Sequence, residues 1–209
     1  MIILITIASL LFFSNKTLLL LGKKVNKQIG WLCGTLAAIL FVIYFFKIGT
    51  PILSVLEIGL TILMMYRFFA GSKTNKSIEN GLGILTGIFI VILTILTSQG
   101  TFTLAQFFGA FGMLIGTYLL ISSEQQNEYI TIKERCGWLL YGFGHLFTSY
   151  IGYEKHQWIF FIFQYWQMFL CFGGFATNDF KRRKTITYIS LIVGTVASLF
   201  FIIFISIIN

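Results

Sequence analysis

Four polar side chains lie inside apolar stretches of this sequence, where a small molecule could bind to them. They are Glu57, His145, Gln164 and Gln167. A carboxylate at the centre of a membrane helix costs about 2.5–3.5 kcal/mol, and such residues almost always face the interior of a helix bundle. Amides and an imidazole offer donors and acceptors that suit the edge of a hydrogen-bonding ligand. These side chains therefore indicate a buried polar site.

Aromatic side chains share helical faces with these polar groups. Trp138, Tyr141 and His145 follow one another at intervals of three and four residues, which places them on one face of a helix. Aromatic faces combined with amides suit a flat, uncharged ring that stacks and is recognised at its edge. The candidate substrate-binding residues, chosen because they lie on these faces or at a similar depth, are Glu57, Trp138, Tyr141, His145, Gln164, Trp166 and Gln167.

Each of these residues also has a structural alternative. Glu57 could pair with a neighbouring helix or be protonated, and His145 could join two helices or relay protons. The two glutamines could hydrogen-bond across helices. Trp138 lies near a predicted helix end, where aromatic residues commonly anchor a protein at the membrane surface. Lys16 is expected to extend toward the cytoplasmic surface rather than to pair with Glu57.

The elements that must hold these side chains follow from composition. The chain has 209 residues, of which 57% are hydrophobic and only 11% are charged, whereas soluble domains carry about 25% charged residues. The apolar residues form runs of nearly membrane-spanning length. The sequence therefore predicts an all-α, polytopic helical membrane protein in contact with the lipid bilayer. The predicted spans are 2–21, 28–46, 51–69, 82–99, 103–122, 136–153, 157–175 and 185–207.

The net charge of +8 comes from basic residues in short connectors between the spans. Alternate connectors hold 12 of the 15 basic residues, and the positive-inside rule places those connectors in the cytoplasm. Both termini are then predicted outside the cytoplasm, in a bacterial inner membrane. Topology and anionic lipid explain the charge, so no nucleic-acid partner is predicted. The residues concerned are Lys23, Lys24, Lys27, Arg67, Lys73, Lys76, Lys133, Arg135, Lys181, Arg182, Arg183 and Lys184.

The sequence contains no motif of catalysis or cofactor binding. It has no H-E-x-x-H, no phosphate-binding glycine loop and no serine nucleophile elbow. Its three cysteines, Cys33, Cys136 and Cys171, have no metal-ligand spacing with histidine. We therefore predict no enzyme activity, no metal and no other cofactor. The oligomeric state stays open, with a homo-oligomer among the alternatives.

Glycines in spans four and five predict close packing between helices. Gly112 and Gly116 have the small-xxx-small spacing that lets two membrane helices approach closely. The same packing is expected of Gly81 in span four.

An internal repeat relates the two halves of the chain. The tripeptide Gly-Trp-Leu at 30–32 recurs at 137–139, a shift of 107 residues that also places Glu57 on Gln164. Adding the preceding span to each copy gives two three-helix units, which are parallel because span four lies between them. The predicted organisation is a first unit at 1–69, a connector and linker helix at 70–99, a second unit at 100–175, and a basic loop with one extra C-terminal helix at 176–209.

Two three-helix units joined by a linker helix resemble the SWEET architecture. Trp138-x-x-Tyr141 in span six, Gln164 in span seven and Gly174 ten residues later are similar to the pattern of the PnuC-type nicotinamide riboside transporters. The chain also resembles the YgjV-like membrane proteins. The resemblance covers residues 28–69 and 103–175. It implies that aromatic and amide positions in the second and third helices of each unit line a vitamin site, with Trp138, Tyr141 and Gln164 among them.

The sequence thus predicts a membrane transporter of a small, neutral, ring-containing metabolite. The resemblance implies vitamin uptake, with nicotinamide riboside or a related vitamin as the substrate. The two units would rock about a central site and expose it to each side in turn. Uptake would be downhill, sustained by trapping, or coupled to protons through Glu57 or His145. The alternative is a membrane scaffold or partner subunit in which Glu57 and Lys16 assemble helices.

Overall fold

The structure is a computed structural model that describes residues 2–21, 24–71, 75–97, 101–123, 131–177 and 179–208. Within these residues the chain forms eight α-helices and no strand, which confirms the predicted all-α class. Lys23 and Lys73 lie outside the described residues, as does the end of predicted span four. The helices are α1 (Ile2–Leu20), α2 (Lys24–Lys47), α3 (Pro51–Ala70), α4 (Lys76–Leu96), α5 (Thr101–Ser123), α6 (Ile132–Glu154), α7 (Trp158–Ala176) and α8 (Phe180–Ile208).

Most of these helices are suited to a bilayer. In the part of the chain that the structure describes, six helical segments are long and apolar enough to cross a membrane. They are Ile2–Leu20, Lys27–Lys47, Pro51–Ala70, Lys76–Leu96, Phe102–Ser123 and Trp158–Ala176. The protein is therefore a multi-pass helical membrane protein.

Several helices begin earlier than the apolar runs predicted, and in α4 and α6 side chains cap the first turn. Asn75 accepts a hydrogen bond from the Ser77 N–H at 2.9 Å, so α4 begins at Lys76 rather than at residue 82. Thr131 accepts one from the Glu134 N–H at 3.1 Å at the start of α6. Hydropathy alone misses these turns because they are polar.

The helices pair in a pattern that recurs between the two halves. α1 contacts α2, α2 contacts α3, α3 contacts α4 and α4 contacts α5. The equivalent pairs α5–α6, α6–α7, α7–α8 and α8–α1 are also in contact, and the cross pair α1–α7 has its counterpart in α3–α5. The repeat therefore spans four helices in each half, and α8 is the equivalent of α4. Since short connectors make successive helices antiparallel, halves of four helices run in the same direction.

Glycine packing supports the register of this repeat. A Cβ added at Gly30 would lie 3.4 Å from the carbonyl oxygen of Asn15. At Gly137, 107 residues later, the corresponding atom is the carbonyl oxygen of Gly116 at 3.1 Å. The leucines that touch the two glycines are Leu18 and Leu119. α2 therefore matches α6 at a shift of 107 residues, and α1 matches α5 at a shift of 101.

At one matched contact, the glycine and the larger residue that faces it change places between the two halves. Asn15 on α1 faces Gly34 on α2, where an added Cβ would lie 2.7 Å from the asparagine Nδ2. In the second half the glycine is Gly116 on α5, and the larger residue is Tyr141 on α6, whose backbone nitrogen would lie 2.9 Å from an added Cβ. Close packing is kept in both halves, but the chemistry in the interior differs.

α5 and α6 approach each other backbone to backbone. A Cβ at Gly112 would lie 2.9 Å from the Gly144 nitrogen and 2.9 Å from the Leu140 carbonyl oxygen. This confirms the packing predicted for Gly112 and Gly116. The expectation for α4 is wrong at Gly81, because nothing lies within 4 Å of a Cβ there.

Candidate functional site

A cluster of buried polar side chains occupies the interior where the two halves meet. We define the central cluster by its residues, which are Lys16 on α1, Glu57 on α3, Tyr141 and His145 on α6, and Gln164 and Gln167 on α7. Lys16 and His145 are 0% exposed and Glu57 is 2% exposed. Lys16 interacts electrostatically with Glu57 and with His145, so the groups from the four helices lie close together.

His145 and Gln164 connect α6 to α7 through a hydrogen bond between the imidazole Nδ1 and the amide Oε1. The Thr148 hydroxyl lies 3.2 Å from the same oxygen. An amide oxygen only accepts, so this network assigns the hydrogen to Nδ1. In the neutral imidazole Nε2 is then an acceptor, and it has no hydrogen-bond partner among the described residues. His145 thus joins two helices and keeps one nitrogen available.

Lys16 does not extend to the membrane surface as the sequence analysis expected. Its Nζ lies 3.7 Å from the ring centres of both Phe12 and Tyr141, and 3.5 Å from Oδ1 of Asn15. The reason is the direction of helical side chains, which tilt toward the N-terminus of their helix. In α1 that direction leads away from the α1–α2 connector and into the bundle. Lys16 is therefore a site residue that sequence reasoning missed.

Glu57 faces Lys16 without touching it. The two groups interact electrostatically, but the ion pairs of the described residues do not join them. The Glu57 Oε2 atom is buried and has no hydrogen-bond partner within the described ranges. A buried carboxylate requires compensation, which Lys16 supplies from a distance. The described side chains around the site therefore form no hydrogen bond with Oε2 of Glu57.

Other polar atoms in this interior are also buried without a partner in the described part of the chain. These are both amide atoms of Gln167, the Trp138 Nε1 and the His145 Nε2. Most buried polar groups in proteins are hydrogen-bonded to protein, water or ligand. These atoms therefore form a group of buried donors and acceptors without protein partners in the described part of the chain. The described residues contain no group of three histidine, cysteine, aspartate or glutamate side chains that could hold a metal ion.

Trp138 is buried where the last turns of α1 and α7 approach α6. It is 1% exposed, and a Cβ added at Gly174 would lie 2.8 Å from its Cγ and 2.8 Å from Cδ2 of Leu20. Trp138 thus packs between helices near their ends, and the interfacial alternative stays a prediction. Gly174 leaves the space that the indole needs.

Trp166 does not join the cluster, although it was a candidate residue. Its Nε1 donates to the Leu191 carbonyl oxygen at 3.3 Å, and its ring centre lies 4.3 Å from that of Phe13. It packs α7 against α8 at Gly194, where no Cβ would fit. Two residues along a helix turn the side chain by about 200°, so Trp166 and Gln164 share a depth but point in opposite directions. Of the other candidates, Tyr141, His145 and Gln164 contact one another in sequence, and Glu57, Trp138 and Gln167 are also buried in the bundle.

Aromatic rings close the interior at the end near the α2–α3 and α6–α7 turns. Phe41 and Phe45 on α2 lie 6.0 and 5.4 Å from Phe160 on α7, measured between ring centres. The Tyr44 hydroxyl donates to Oε1 of Gln157 at 3.3 Å. This aromatic layer joins the two halves at that end of the bundle.

Comparisons of the chain with protein-family models, with curated proteins and with solved structures give no match. The class that fold and site define is therefore a multi-pass helical membrane protein with a buried polar centre between two repeated halves. The resemblance to SWEET and PnuC-type transporters stays a prediction.

Proposed function

We propose that this protein is a membrane transporter of a small, neutral, ring-containing metabolite. The observation that carries the proposal is the central cluster, in which helices from both halves bury polar atoms that lack partners. Polar groups that only hold helices together would pair with one another, whereas these leave donors and acceptors for a guest.

Transport would proceed by alternating access between the two halves. The aromatic layer closes one end of the interior, and its contacts run between α2 of one half and α7 of the other. Trp138, with Leu20 and Gly174, closes the other end. Rocking of one half against the other would part these two closures in turn, as in transporters built from repeats.

The substrate would be a flat ring with hydrogen-bonding groups at its edge. His145 Nε2 would accept a hydrogen bond, Trp138 Nε1 would donate one, and the Gln167 amide would do both. The resemblance suggests nicotinamide riboside or a related vitamin. The riboside carries a pyridinium charge, so an uncharged relative such as nicotinamide fits the proposed class better.

The setting that we propose is a bacterial inner membrane, with both termini outside the cytoplasm. The basic connectors favour that orientation through the positive-inside rule. Uptake would run downhill and be sustained by trapping, or it would be coupled to protons through Glu57 or His145. A homo-oligomer remains compatible with this function.

Uptake of radiolabelled nicotinamide and nicotinamide riboside into proteoliposomes tests the proposal. Gln164→Ala should lower the initial rate about tenfold or more, because it leaves the buried His145 Nδ1–H unpaired at a cost of roughly 1–3 kcal/mol. Tyr141→Ala should lower it as well, because it removes an aromatic face on which the ring would stack. Trp166→Phe is the matched control, since Trp166 packs outside the cluster, and it should transport like the wild type. Unchanged uptake in both site variants would contradict the site.

A second candidate function is a membrane scaffold or partner subunit. The hydrogen bond between His145 and Gln164 favours it, because that contact already joins α6 to α7. A thermal-shift screen with nucleosides, vitamins and sugars separates the two candidates. A ligand at a hundredfold excess over its Kd stabilises a binding protein by about 2.7 kcal/mol, whereas a scaffold should not respond to any of them.

A further inference from the structure

We propose that Lys16 makes the central site select uncharged ligands, because its ammonium group already occupies the place where a cationic ligand would bind. The place in question is the space between the rings of Phe12 and Tyr141, within electrostatic range of the Glu57 carboxyl group. Lys16 is thus a specificity-determining residue of this site.

The two rings form a cage for a cation. Their centres are 6.4 Å apart with an angle of 62° between the planes, and the Lys16 Nζ lies 3.7 Å from each centre. Aromatic faces at this distance attract a cation through the ring quadrupole, and aromatic cages are a common way to bind ammonium ligands. Here the protein fills the cage with its own side chain.

Lys16 is held in this position by its neighbour on α1. The Asn15 Nδ2 donates to the Gly30 carbonyl oxygen at 2.8 Å, which fixes the amide, and its Oδ1 lies 3.5 Å from Nζ. In the other half, the positions equivalent to Asn15 and Lys16 are Gly116 and Thr117. The resident cation is therefore a feature of the first half alone.

Lys16 and Glu57 together carry no net charge. Both groups are buried, and the pair is neutral whether the proton resides on the amine or on the carboxylate. A cationic ligand would bring a second positive charge into this interior of low dielectric, where charge interactions are strong. A neutral ring adds no charge. Without Lys16, the same cage and carboxylate would favour a cation.

The test uses nicotinamide and 1-methylnicotinamide, the cation methylated on the ring nitrogen and called N-methylnicotinamide below. The two differ by a methyl group and a positive charge. Their binding to purified protein is measured by equilibrium dialysis at mildly alkaline pH. Four proteins make a charge series: the wild type, Lys16→Met, Glu57→Gln and the double variant. Methionine keeps the length and the apolar character of the lysine stem.

Charge at the site predicts the order of preference. Lys16→Met should bind N-methylnicotinamide at least about tenfold more tightly than the wild type does, since a desolvated cation–aromatic contact is worth that much. The wild type and the double variant are neutral at this site and should prefer nicotinamide, whereas Glu57→Gln should bind N-methylnicotinamide most weakly.

An equal affinity of Lys16→Met and wild type for N-methylnicotinamide would overturn the inference. If Lys16→Met does not fold because Glu57 loses its compensating charge, the double variant and Glu57→Gln still decide. N-methylnicotinamide must then bind better to the double variant, which lacks the lysine.

As a statement about the transported substrate, this selectivity rests on the proposed function. The gain of cation binding does not, because it needs only the cage and the carboxylate. If nicotinamide binds to none of the four proteins but Lys16→Met gains N-methylnicotinamide, the proposed substrate class fails and the role of Lys16 stands.

Discussion

The imidazole of His145 has two different surroundings in one buried position. Its Nδ1 is satisfied by Gln164, while its Nε2 meets no partner among the described residues. The hydrogen bond at Nδ1 fixes the ring and its tautomer, and Nε2 would be an acceptor for the ligand that we propose. A structural contact and a proposed binding group would then be combined in one side chain.

Gln164→Leu tests how much that contact stabilises the fold. It should lower the free energy of unfolding by about 1–3 kcal/mol, because the buried His145 Nδ1–H loses its acceptor. The double variant His145→Phe with Gln164→Leu should recover most of this loss, since replacing both partners leaves no orphan group. Unfolding in detergent measures both. Gln28→Leu, at an exposed position, is the control and should change little.

Residue types inside apolar runs were enough to predict most of the central cluster. A buried carboxylate, imidazole or amide must face the interior whatever the details of packing, and the structure buries Glu57, His145 and Gln164. Lys16 was missed because a long side chain can extend either to the membrane surface or into the bundle, and the sequence favoured the surface. Trp166 was misassigned because depth was considered without helical angle.

Helices α5 and α6 depend on glycine for their close contact. The backbones meet at Gly112 and Gly144, so no side-chain atom separates them at this point. The contact fixes α6 and with it Tyr141 and His145. The positions of Tyr141 and His145 thus depend on how closely α6 packs against α5.

Gly112→Ala should lower the free energy of unfolding by about 1–3 kcal/mol, the usual cost of overpacking. The added Cβ would lie 2.9 Å from backbone atoms, which cannot rotate away. Gly81→Ala is the matched control, because nothing lies within 4 Å of that position. It should be neutral or stabilise α4 by up to about 1 kcal/mol. Thermal unfolding of both variants tests this prediction, and equal stability of Gly112→Ala and Gly81→Ala would contradict the backbone contact.

At the scale of elements, apolar runs predicted the eight helices but not where they begin. Length and hydropathy are properties of the run itself, so each helix centre was predictable. The first turns of α4 and α6 are polar and are determined by the caps Asn75 and Thr131. The glycines of α5 correctly predicted a close contact between helices, whereas Gly81 shows that a glycine can also lie where no other helix is near.

The whole molecule consists of two halves of four helices that run in the same direction. A short tripeptide match indicated an internal repeat, but the repeat unit predicted from it had three helices. α4 contacts α3 and α5, and α8 contacts the equivalent helices α7 and α1. Only these contacts relate α4 to α8, because their sequences show no obvious similarity. Because the sequence identity between the halves is low, the sequence did not reveal the fourth helix of each half as part of the repeat.

Labelling of introduced cysteines tests the orientation in the membrane. His156→Cys, between α6 and α7, should react with an impermeant maleimide in intact cells, because the basic connectors place that turn outside. Ser77→Cys, at the start of α4, should react only after lysis. Both positions are exposed, and the background would lack the three native cysteines. The reverse pattern would contradict the assigned orientation.

The difference between the halves at these matched positions has a consequence for any ligand in the interior. A chamber with true twofold symmetry would accept a ligand in two equivalent poses. Here Tyr141 stands where the other half has Gly34, and Lys16 stands where it has Thr117. The two halves thus present different side chains to the interior, so the ring that we propose as the ligand would have a single preferred orientation there.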